Sequence, residues 1–198
     1  MPHLPLNIDM RGLTALIVGG GSVASRKTRS LLDAGATVRI VSPEITTEID
    51  ALVAAGSVSR RSGCYEPSDL QGIFLAVAAA NDLETNRRVA SDARKLGILV
   101  SVVNEPAAGN CIFPALLCRG NLEITVSTNG TCPAFAAEVR DMLATVIGNE
   151  YGIILETLAA EREKLLTEDR HSTYNKDLLR SRTRELIREL TERKESVS

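Results

Sequence analysis

The sequence is poor in the residues that build metal centres and aromatic ligand platforms. Its 198 residues include no tryptophan, three tyrosines, three phenylalanines and two histidines. The four cysteines, Cys64, Cys111, Cys118 and Cys132, form no C-x-x-C pair. A structural zinc site needs such ligands at close spacing, so no metal site is predicted. In a cytosolic chain we expect these cysteines to be small, partly buried hydrophobic side chains.

Long apolar runs and a strong net charge are also absent. No run reaches the roughly 18 residues of a membrane span, and the amino-terminal segment lacks the basic start and apolar core of a signal peptide. The formal net charge of −2 argues against a general nucleic-acid binder. We therefore predict a cytoplasmic protein that binds neither nucleic acid nor a membrane.

A glycine motif near the amino terminus organises the rest of the sequence. Gly19, Gly21 and Ala24 have the G-x-G-x-x-[GA] spacing of dinucleotide-binding folds. In such folds the first glycine permits a tight turn, and the second lets main-chain N–H groups approach a pyrophosphate. The third position keeps the following helix close to the strand. The anion then lies at the positive end of the helix dipole.

The context of the motif favours nucleotide binding over an ordinary turn. Residues 13–18 form an apolar run typical of a buried parallel strand. Residues 23–32 have helical spacing, and Gly35 is a suitable terminator. Ser22 and Val23, at the start of this helix, are therefore predicted to contact the cofactor together with the glycines.

Strand and helix patterns alternate from residue 13 to residue 103. This alternation implies right-handed crossovers and an open, mostly parallel sheet, which is a Rossmann-like α/β fold. An alternating segment at residues 4–8 is predicted to add a strand beside the first one. Further strands are expected at residues 37–41, 57–61, 73–79 and 98–103, and helices at residues 44–55 and 83–96.

The pattern changes after Asn104. Residues 112–117 and 122–128 favour strands, and residues 134–147 favour a helix. The remaining residues to 195 have the spacing of two charged amphipathic helices. We predict three parts: an NAD-binding Rossmann-like domain over residues 1–111, a small α+β dimerisation region over residues 112–148 and a helical C-terminal domain over residues 149–198.

The expected ligand position lies outside the carboxyl ends of the parallel strands. There a dinucleotide fold usually places an acid on the adenosine ribose, about 20 residues past the glycines. Glu44 is the candidate here, and the absence of lysine or arginine beside it favours NAD over NADP. The predicted cofactor-binding residues are Gly19, Gly21, Ser22, Val23, Ser42, Pro43, Glu44, Asn81 and Asp82.

Four ordered segments together resemble the precorrin-2 dehydrogenase family, which includes the N-terminal half of bifunctional siroheme synthase. They are GGGSVASRK, AVAAANDLETNRRV, VVNEPAAGNCIFPALLCRG and ITVSTNGTCPAFA. The resemblance implies oxidation of precorrin-2 to sirohydrochlorin with NAD⁺ as hydride acceptor. It also implies a homodimer, with residues 112–147 at the interface and the tail helices beside the tetrapyrrole cleft. Some members of the family also insert Fe²⁺.

Asn104 departs from the family pattern. Dehydrogenase-chelatases of the family carry an aspartate in VVDAP, where this chain has Asn104 and Glu105 in VVNEP. An amide has no basic lone pair to accept a pyrrole proton, so little or no metal insertion is expected. Dehydrogenation is less demanding, because water can take the proton that becomes acidic when hydride leaves. Asn104 and Glu105 are the catalytic candidates, although a turn before Pro106 explains Asn104 equally well.

A second group of candidates lies around the Asn129-Gly130 turn. The resemblance implies that this segment faces the tetrapyrrole, where the hydroxyls of Ser127, Thr128 and Thr131 would bind substrate carboxylates. Arg119 and Arg140 are the candidates for pairing with a propionate or an acetate group. An ordinary strand-turn-helix junction accounts for the same residue types.

Two other functions remain open from the sequence. A non-catalytic NAD-sensing module, whose helical tail signals to a partner, would be consistent with the missing carboxylate at Asn104. An unrelated small NAD-dependent dehydrogenase would need its own acid–base set. Neither a Ser-Tyr-Lys set nor a histidine-based set is evident.

Overall fold

The computed structural model describes residues 3–168 and 176–195. Contacts within the chain divide it into two compact units, Met1–Phe113 and Pro114–Ser198. The glycine motif and the whole alternating region of the sequence fall in the first unit.

The first unit is built around a five-stranded parallel sheet. Its elements are β1 (Thr14–Val18), α1 (Ser22–Asp33), β2 (Thr37–Val41), α2 (Thr47–Ala54), β3 (Val58–Arg61), β4 (Leu75–Ala78), α3 (Leu83–Lys95) and β5 (Leu99–Val102). The strands lie in the order β3-β2-β1-β4-β5, and every neighbouring pair is parallel. The predicted Rossmann-like α/β fold is confirmed.

Both faces of this sheet are covered, because neighbouring residues of a strand point to opposite sides. Leu16 of β1 belongs to a buried cluster with Val89 of α3, whereas Ile17 belongs to a second cluster with Leu31 of α1. Leu16 and Ile17 are completely buried. Burial of a side chain of this size stabilises the fold by about 1.5–3 kcal/mol. The continuous apolar runs of the sequence thus correspond to strands covered by helices on both faces.

The outer edge of β5 is covered by Asn110. Its side-chain Oδ1 accepts a hydrogen bond from Val100 N at 2.6 Å, and its Nδ2 donates to Ile98 O at 3.1 Å. The main-chain N–H of Asn110 also donates, to Val100 O at 2.9 Å. One residue therefore satisfies main-chain groups that an edge strand otherwise leaves open.

The second unit contains an antiparallel hairpin followed by helices. The hairpin pairs β6 (Ala115–Arg119) with β7 (Leu122–Val126), and the helices are α4 (Pro133–Val146), α5 (Glu150–Glu168) and α6 (Lys176–Glu195). The two predicted strands and the helical tail are confirmed, and the structure adds that the strands are antiparallel. The part of the predicted helical pattern at residues 169–175 lies outside the described residues. Within the described ranges, no helix has the length and apolar composition that crossing a membrane requires. The finer division at residue 148 stays a prediction.

The strand predicted at residues 4–8 is wrong. This segment forms neither helix nor strand, and the side chains of Leu4 and Leu6 are 78% and 69% exposed. The reason is topological, because β1 already has β2 on one side and β4 on the other. Residues 4–8 therefore have no free edge of β1 to pair with, despite their alternating pattern.

The prediction of partly buried cysteines is correct only for Cys111. Cys64, Cys118 and Cys132 are exposed, because they lie on a loop, on the open face of the hairpin and just before α4. Burial raises the pKa of the Cys111 thiol to about 11, so this thiol stays protonated at neutral pH.

Candidate nucleotide-binding site

A cleft of about 470 Å³ opens at the carboxyl end of the parallel sheet. The chain proceeds from β1 to β2 on one side and later reaches β4 on the other, so the strand order reverses at β1. Ligands of open α/β folds bind at such a reversal point. The lining comes from residues 18–21, 41–46, 63–65 and 79–82, together with Thr85.

Gly19 and Gly20 allow the walls of the cleft to approach each other. Gly19 has a φ of 127°, and a Cβ there would collide with the carbonyl of Ala79. A Cβ on Gly20 would collide with the carbonyl of Glu44, and Gly20 O accepts a hydrogen bond from Thr46 N at 2.9 Å. The fold itself therefore requires glycine at both positions.

Gly21 is different, because the protein does not need it for packing. Its φ of −82° and ψ of −172° suit any residue, and a Cβ would meet no atom within 4 Å. Gly21 is the N-cap of α1 and provides no side-chain cap. The first N–H groups of α1 are therefore left for a ligand, and an anion at this place would meet the positive end of the helix.

Ser22 and Val23, both predicted to bind the cofactor, begin α1 and are not among the lining residues. Ser22 is exposed and Val23 is half-buried. They contribute the first main-chain N–H groups of the helix rather than side chains.

The segment after β2 forms a second wall. Ser42, predicted to contact the cofactor, is buried, and its hydroxyl donates to Glu44 O at 2.6 Å. Pro43 and Glu44 are exposed on the cleft surface. The guanidinium of Arg60, from β3, donates through Nη2 to Pro43 O at 2.7 Å and to Ser42 O at 3.2 Å. The structure thus brings a cation to a segment that has no basic residue in its own sequence.

The segment after β4 forms the third wall and is held by α3. Asp82 is the N-cap of α3 and accepts hydrogen bonds from Thr85 N at 2.8 Å and from Thr85 Oγ1 at 2.6 Å. These bonds lower the pKa of Asp82, so it stays ionised. Asn81, next to it, is exposed on the cleft surface. Of the two predicted residues, Asp82 caps α3, whereas Asn81 lines the cleft without a capping role.

Sequence reasoning missed the fourth wall, residues 63–65. It follows β3, and Arg61 holds it by donating to Asp69 Oδ1 at 2.7 Å and to Cys64 O at 2.7 Å. Tyr65 is buried and its hydroxyl donates to Asp92 Oδ2 at 3.3 Å. The short strand before this wall was the available signal, because the carboxyl end of every parallel strand faces the same side.

Asn104 and Glu105 follow β5 and do not line the cleft. Asn104 is exposed in a bend. Glu105 forms a two-bond ion pair with Arg87 of α3, with Nε–Oε2 at 2.8 Å and Nη2–Oε1 at 3.1 Å. This pairing holds the pKa of Glu105 below its ordinary value, which makes the carboxylate a weak base.

The predicted substrate-binding residues all lie in the second unit and make local hydrogen bonds. Ser127 Oγ accepts from Asn129 N at 3.1 Å, Thr128 Oγ1 accepts from Cys132 N at 3.1 Å, and the hydroxyl of Thr131 donates to Thr128 O. These bonds build the junction between β7 and α4.

Arg119 also makes hydrogen bonds within the second unit, at the carboxyl end of α4. Its guanidinium donates to Ile147 O at 2.8 Å, to Ala144 O at 3.3 Å and to Cys118 O at 3.0 Å. A basic side chain at the carboxyl end of α4 satisfies free carbonyls there. These bonds give Arg119 a helix-capping role, and its predicted pairing with a substrate carboxylate stays a prediction.

Within residues 3–168 and 176–195, no group of three or more metal-binding side chains comes together.

Two families match the sequence. Residues 6–115 match a family described as "Putative NAD(P)-binding". Residues 119–145 match a family described as "Sirohaem biosynthesis protein central". The first match spans more than half of the chain.

The curated relatives are siroheme synthases. The chain is 41% identical to that of Chromobacterium violaceum over 152 residues, which cover 77% of this chain and 32% of that protein. It is 34% identical to that of Photorhabdus laumondii over 165 residues, which cover 83% of this chain and 35% of that protein. The chain thus spans about a third of the length of these relatives.

Among solved structures, the chain is similar to "SirC, precorrin-2 dehydrogenase". The TM-score is 0.74 at 24% identity, and the match covers 96% of this chain and 100% of that chain. The two proteins share a fold.

Proposed function

This chain belongs to the NAD(P)-binding family that its residues 6–115 match, and we propose that it oxidises precorrin-2 to sirohydrochlorin with NAD⁺ in siroheme biosynthesis. One observation carries the proposal. The cleft lies where the strand order reverses, and it receives the uncapped N-terminus of α1 beside a glycine that the fold does not require. Identity of 41% with part of a siroheme synthase supports the choice of substrate.

The residues around the cleft fit a dinucleotide. The first N–H groups of α1, at Ser22 and Val23, would hold pyrophosphate oxygens, because Gly21 leaves that space open. The wall at residues 79–82 would support the nicotinamide half. Bound NAD⁺ supplies the acceptor for the hydride that leaves the tetrapyrrole. The protein would orient the two molecules for this transfer.

We propose NAD⁺ rather than NADP⁺ as the cofactor. Glu44 is exposed on the wall after β2, where the adenosine ribose of a dinucleotide fold is expected. A carboxylate there accepts hydrogen bonds from the ribose hydroxyls and repels a 2′-phosphate.

Solvent is the proposed acceptor of the proton that accompanies hydride loss. Asn104 is an amide, and Glu105 is held in its charged form by Arg87, so neither residue is a good base. Insertion of a metal ion requires the removal of two pyrrole protons, which is more demanding. We therefore propose a dehydrogenase with little or no ferrochelatase activity.

A homodimer is proposed from the surface of α4. Phe135, Met142 and Val146 are 62%, 63% and 62% exposed. Their spacing of seven and four residues places them on one face of the helix, so they form an apolar stripe. A second copy of the chain would cover this stripe, as the family resemblance implies.

The test is turnover by the purified chain. Addition of precorrin-2 and NAD⁺ should produce NADH and sirohydrochlorin in equal amounts, followed by their absorbance spectra. Binding of NAD⁺ without any NADH would support the non-catalytic sensor instead. Failure to bind either nicotinamide cofactor would contradict the assignment of the cleft.

A further inference from the structure

Two side chains of opposite charge, Glu44 and Arg60, lie at the segment of residues 42–44. We call this segment the ribose corner of the cleft. Glu44 contributes a carboxylate that is exposed on the cleft surface. Arg60 reaches the same segment from β3 and donates to Pro43 O at 2.7 Å and to Ser42 O at 3.2 Å. The guanidinium therefore contacts the main chain of this wall, although Arg60 is not itself among the lining residues.

The charge of Arg60 is not neutralised by its contacts. Within the described part of the chain, every hydrogen bond of Arg60 leaves from Nη2 and ends on a neutral oxygen, of Ser42, Pro43 or Ser62. Its Nε is buried and has no partner among those residues. A guanidinium has five N–H donors, so the two donors of Nη1 and the full positive charge remain for an anion.

The two charges act in opposite directions on a 2′-phosphate. Glu44 repels the phosphate and accepts the 2′-hydroxyl of NAD⁺, whereas Arg60 attracts the phosphate. At the effective dielectric of a protein surface, a unit charge about 12 Å from the phosphate changes the affinity by about tenfold, and a closer charge changes it more. The proposed preference for NAD⁺ would then be the difference between two opposed electrostatic effects.

We propose that Arg60 is a latent phosphate-binding residue, and that Glu44 alone prevents this cleft from accepting NADP⁺. The inference rests on the proposed nucleotide site and identifies the residues that determine its specificity. Removing the charge of Glu44 would therefore admit the 2′-phosphate, because a cation is already in place behind Pro43.

The test is a double-mutant cycle measured by calorimetric titration of the whole chain with NAD⁺ and with NADP⁺. Glu44→Gln should raise the affinity for NADP⁺ about tenfold or more. Combining it with Arg60→Gln, which retains donors for Pro43 O and removes the charge, should abolish this gain. Combining it with Arg60→Lys should preserve part of the gain, because a lysine binds phosphate as a point charge.

Measurements at several salt concentrations distinguish an electrostatic gain in NADP⁺ affinity from a gain caused by structural rearrangement. The gain in Glu44→Gln should shrink as ionic strength rises, whereas a gain from loop rearrangement would not. An equal gain in NADP⁺ affinity with Arg60→Gln present, or no gain in Glu44→Gln, would overturn the inference while NAD⁺ binding stands. Absence of binding by either cofactor to the native chain would overturn the nucleotide site itself.

Discussion

Both polar atoms of the Asn86 side chain are bonded to Ala80. Ala80 N donates to Asn86 Oδ1, and Asn86 Nδ2 donates to Ala80 O, each at 2.9 Å. Asn86 is completely buried in α3, whereas Ala80 lies on the cleft. The carbonyl of Ala79, next to it, is the group that requires glycine at position 19. Asn86 thus holds the third wall, residues 79–82, in place beside the glycine segment at residues 18–21.

The first prediction concerns Asn86→Asp. The change removes the donor to Ala80 O and buries a carboxyl group, so the free energy of unfolding should fall by about 1–3 kcal/mol at neutral pH. The protonated acid can donate in place of the amide, which raises the folded-state pKa of the carboxyl above its unfolded value of about 3.9. The loss of stability in Asn86→Asp should therefore be smallest in acid, where the carboxyl group is protonated. It should grow as the pH rises through the folded-state pKa of that group.

Urea unfolding at several pH values measures this effect. Asn81→Ala is the control, because Asn81 is exposed on the same wall, and it should leave stability nearly unchanged. A loss for Asn86→Asp that is the same at all pH values would contradict the proposed exchange of donors.

The second prediction separates Gly21 from Gly20. Gly21→Asp should fold with an unchanged melting temperature and lose NAD⁺ affinity more than about tenfold, because bulk and negative charge would occupy the pyrophosphate position. Gly20→Ala should instead be destabilised by about 1–3 kcal/mol, since its Cβ meets the carbonyl of Glu44. Thermal unfolding and calorimetric titration check both. Unchanged NAD⁺ affinity in folded Gly21→Asp protein would exclude this position for the pyrophosphate.

The parallel sheet could be predicted from the sequence because its strands are continuous apolar runs interrupted by glycine or polar turns. Gly19 and Gly21 could be predicted as well, from the spacing of the motif. The need for glycine at position 20 could not, because it comes from the carbonyl of Glu44 on another segment. Asn86 could not be predicted, because a polar residue in an amphipathic helix gives no sign of where it points. Arg60 was hidden for a related reason. Its contact with Pro43 joins residues 17 apart and depends on strand order.

The third prediction concerns Lys27, whose Nζ lies 4.0 Å from the centre of the Phe113 ring. Burial, with a further contribution from the charge of Arg26, lowers the pKa of Lys27 from 10.5 to about 8. Between these values the unfolded chain binds more protons than the folded chain, so the stability contribution of Lys27 rises with pH across that interval. Lys27→Met should therefore stabilise the protein most below pH 8, with a difference that shrinks towards pH 10.5.

Urea midpoints of the native chain and of Lys27→Met at pH values on both sides of that interval measure the difference. Arg26→Met, on the same helix, should weaken this pH dependence without abolishing it, because the charge of Arg26 adds to the effect of burial on the pKa of Lys27. A difference between native chain and Lys27→Met that does not vary with pH would show that the amine is not the titrating group.

The fourth prediction concerns the apolar stripe of α4. Met142→Lys places a charge at the centre of the proposed dimer contact, and the chain should become monomeric at micromolar concentrations in analytical ultracentrifugation. Asp141→Lys, next to it and also exposed, should remain a dimer. Sedimentation of the native chain as a monomer at all concentrations would contradict the proposed homodimer.

The fifth prediction concerns metal insertion. The native chain should oxidise precorrin-2 yet fail to accelerate Fe²⁺ or Co²⁺ insertion into sirohydrochlorin. Asn104→Asp should confer some insertion, because it adds a proton acceptor at nearly constant volume. The gain is expected to be modest, since a base also needs correct positioning.

Glu105→Gln is the matched control for that experiment. Since Arg87 already holds Glu105 in its charged form, the change should leave dehydrogenation nearly unaffected. Efficient insertion by the native chain that survives Glu105→Gln would place the base elsewhere.

The amide of Asn110 has a consequence for aggregation. An exposed strand edge recruits strands from other molecules and so starts fibrils. At β5, one amide side chain and its main-chain N–H imitate a neighbouring strand, so the edge is closed to recruitment. The opposite edge, β3, carries Arg60, whose charge opposes pairing with an identical strand. We therefore expect neither edge of the sheet to start a fibril readily.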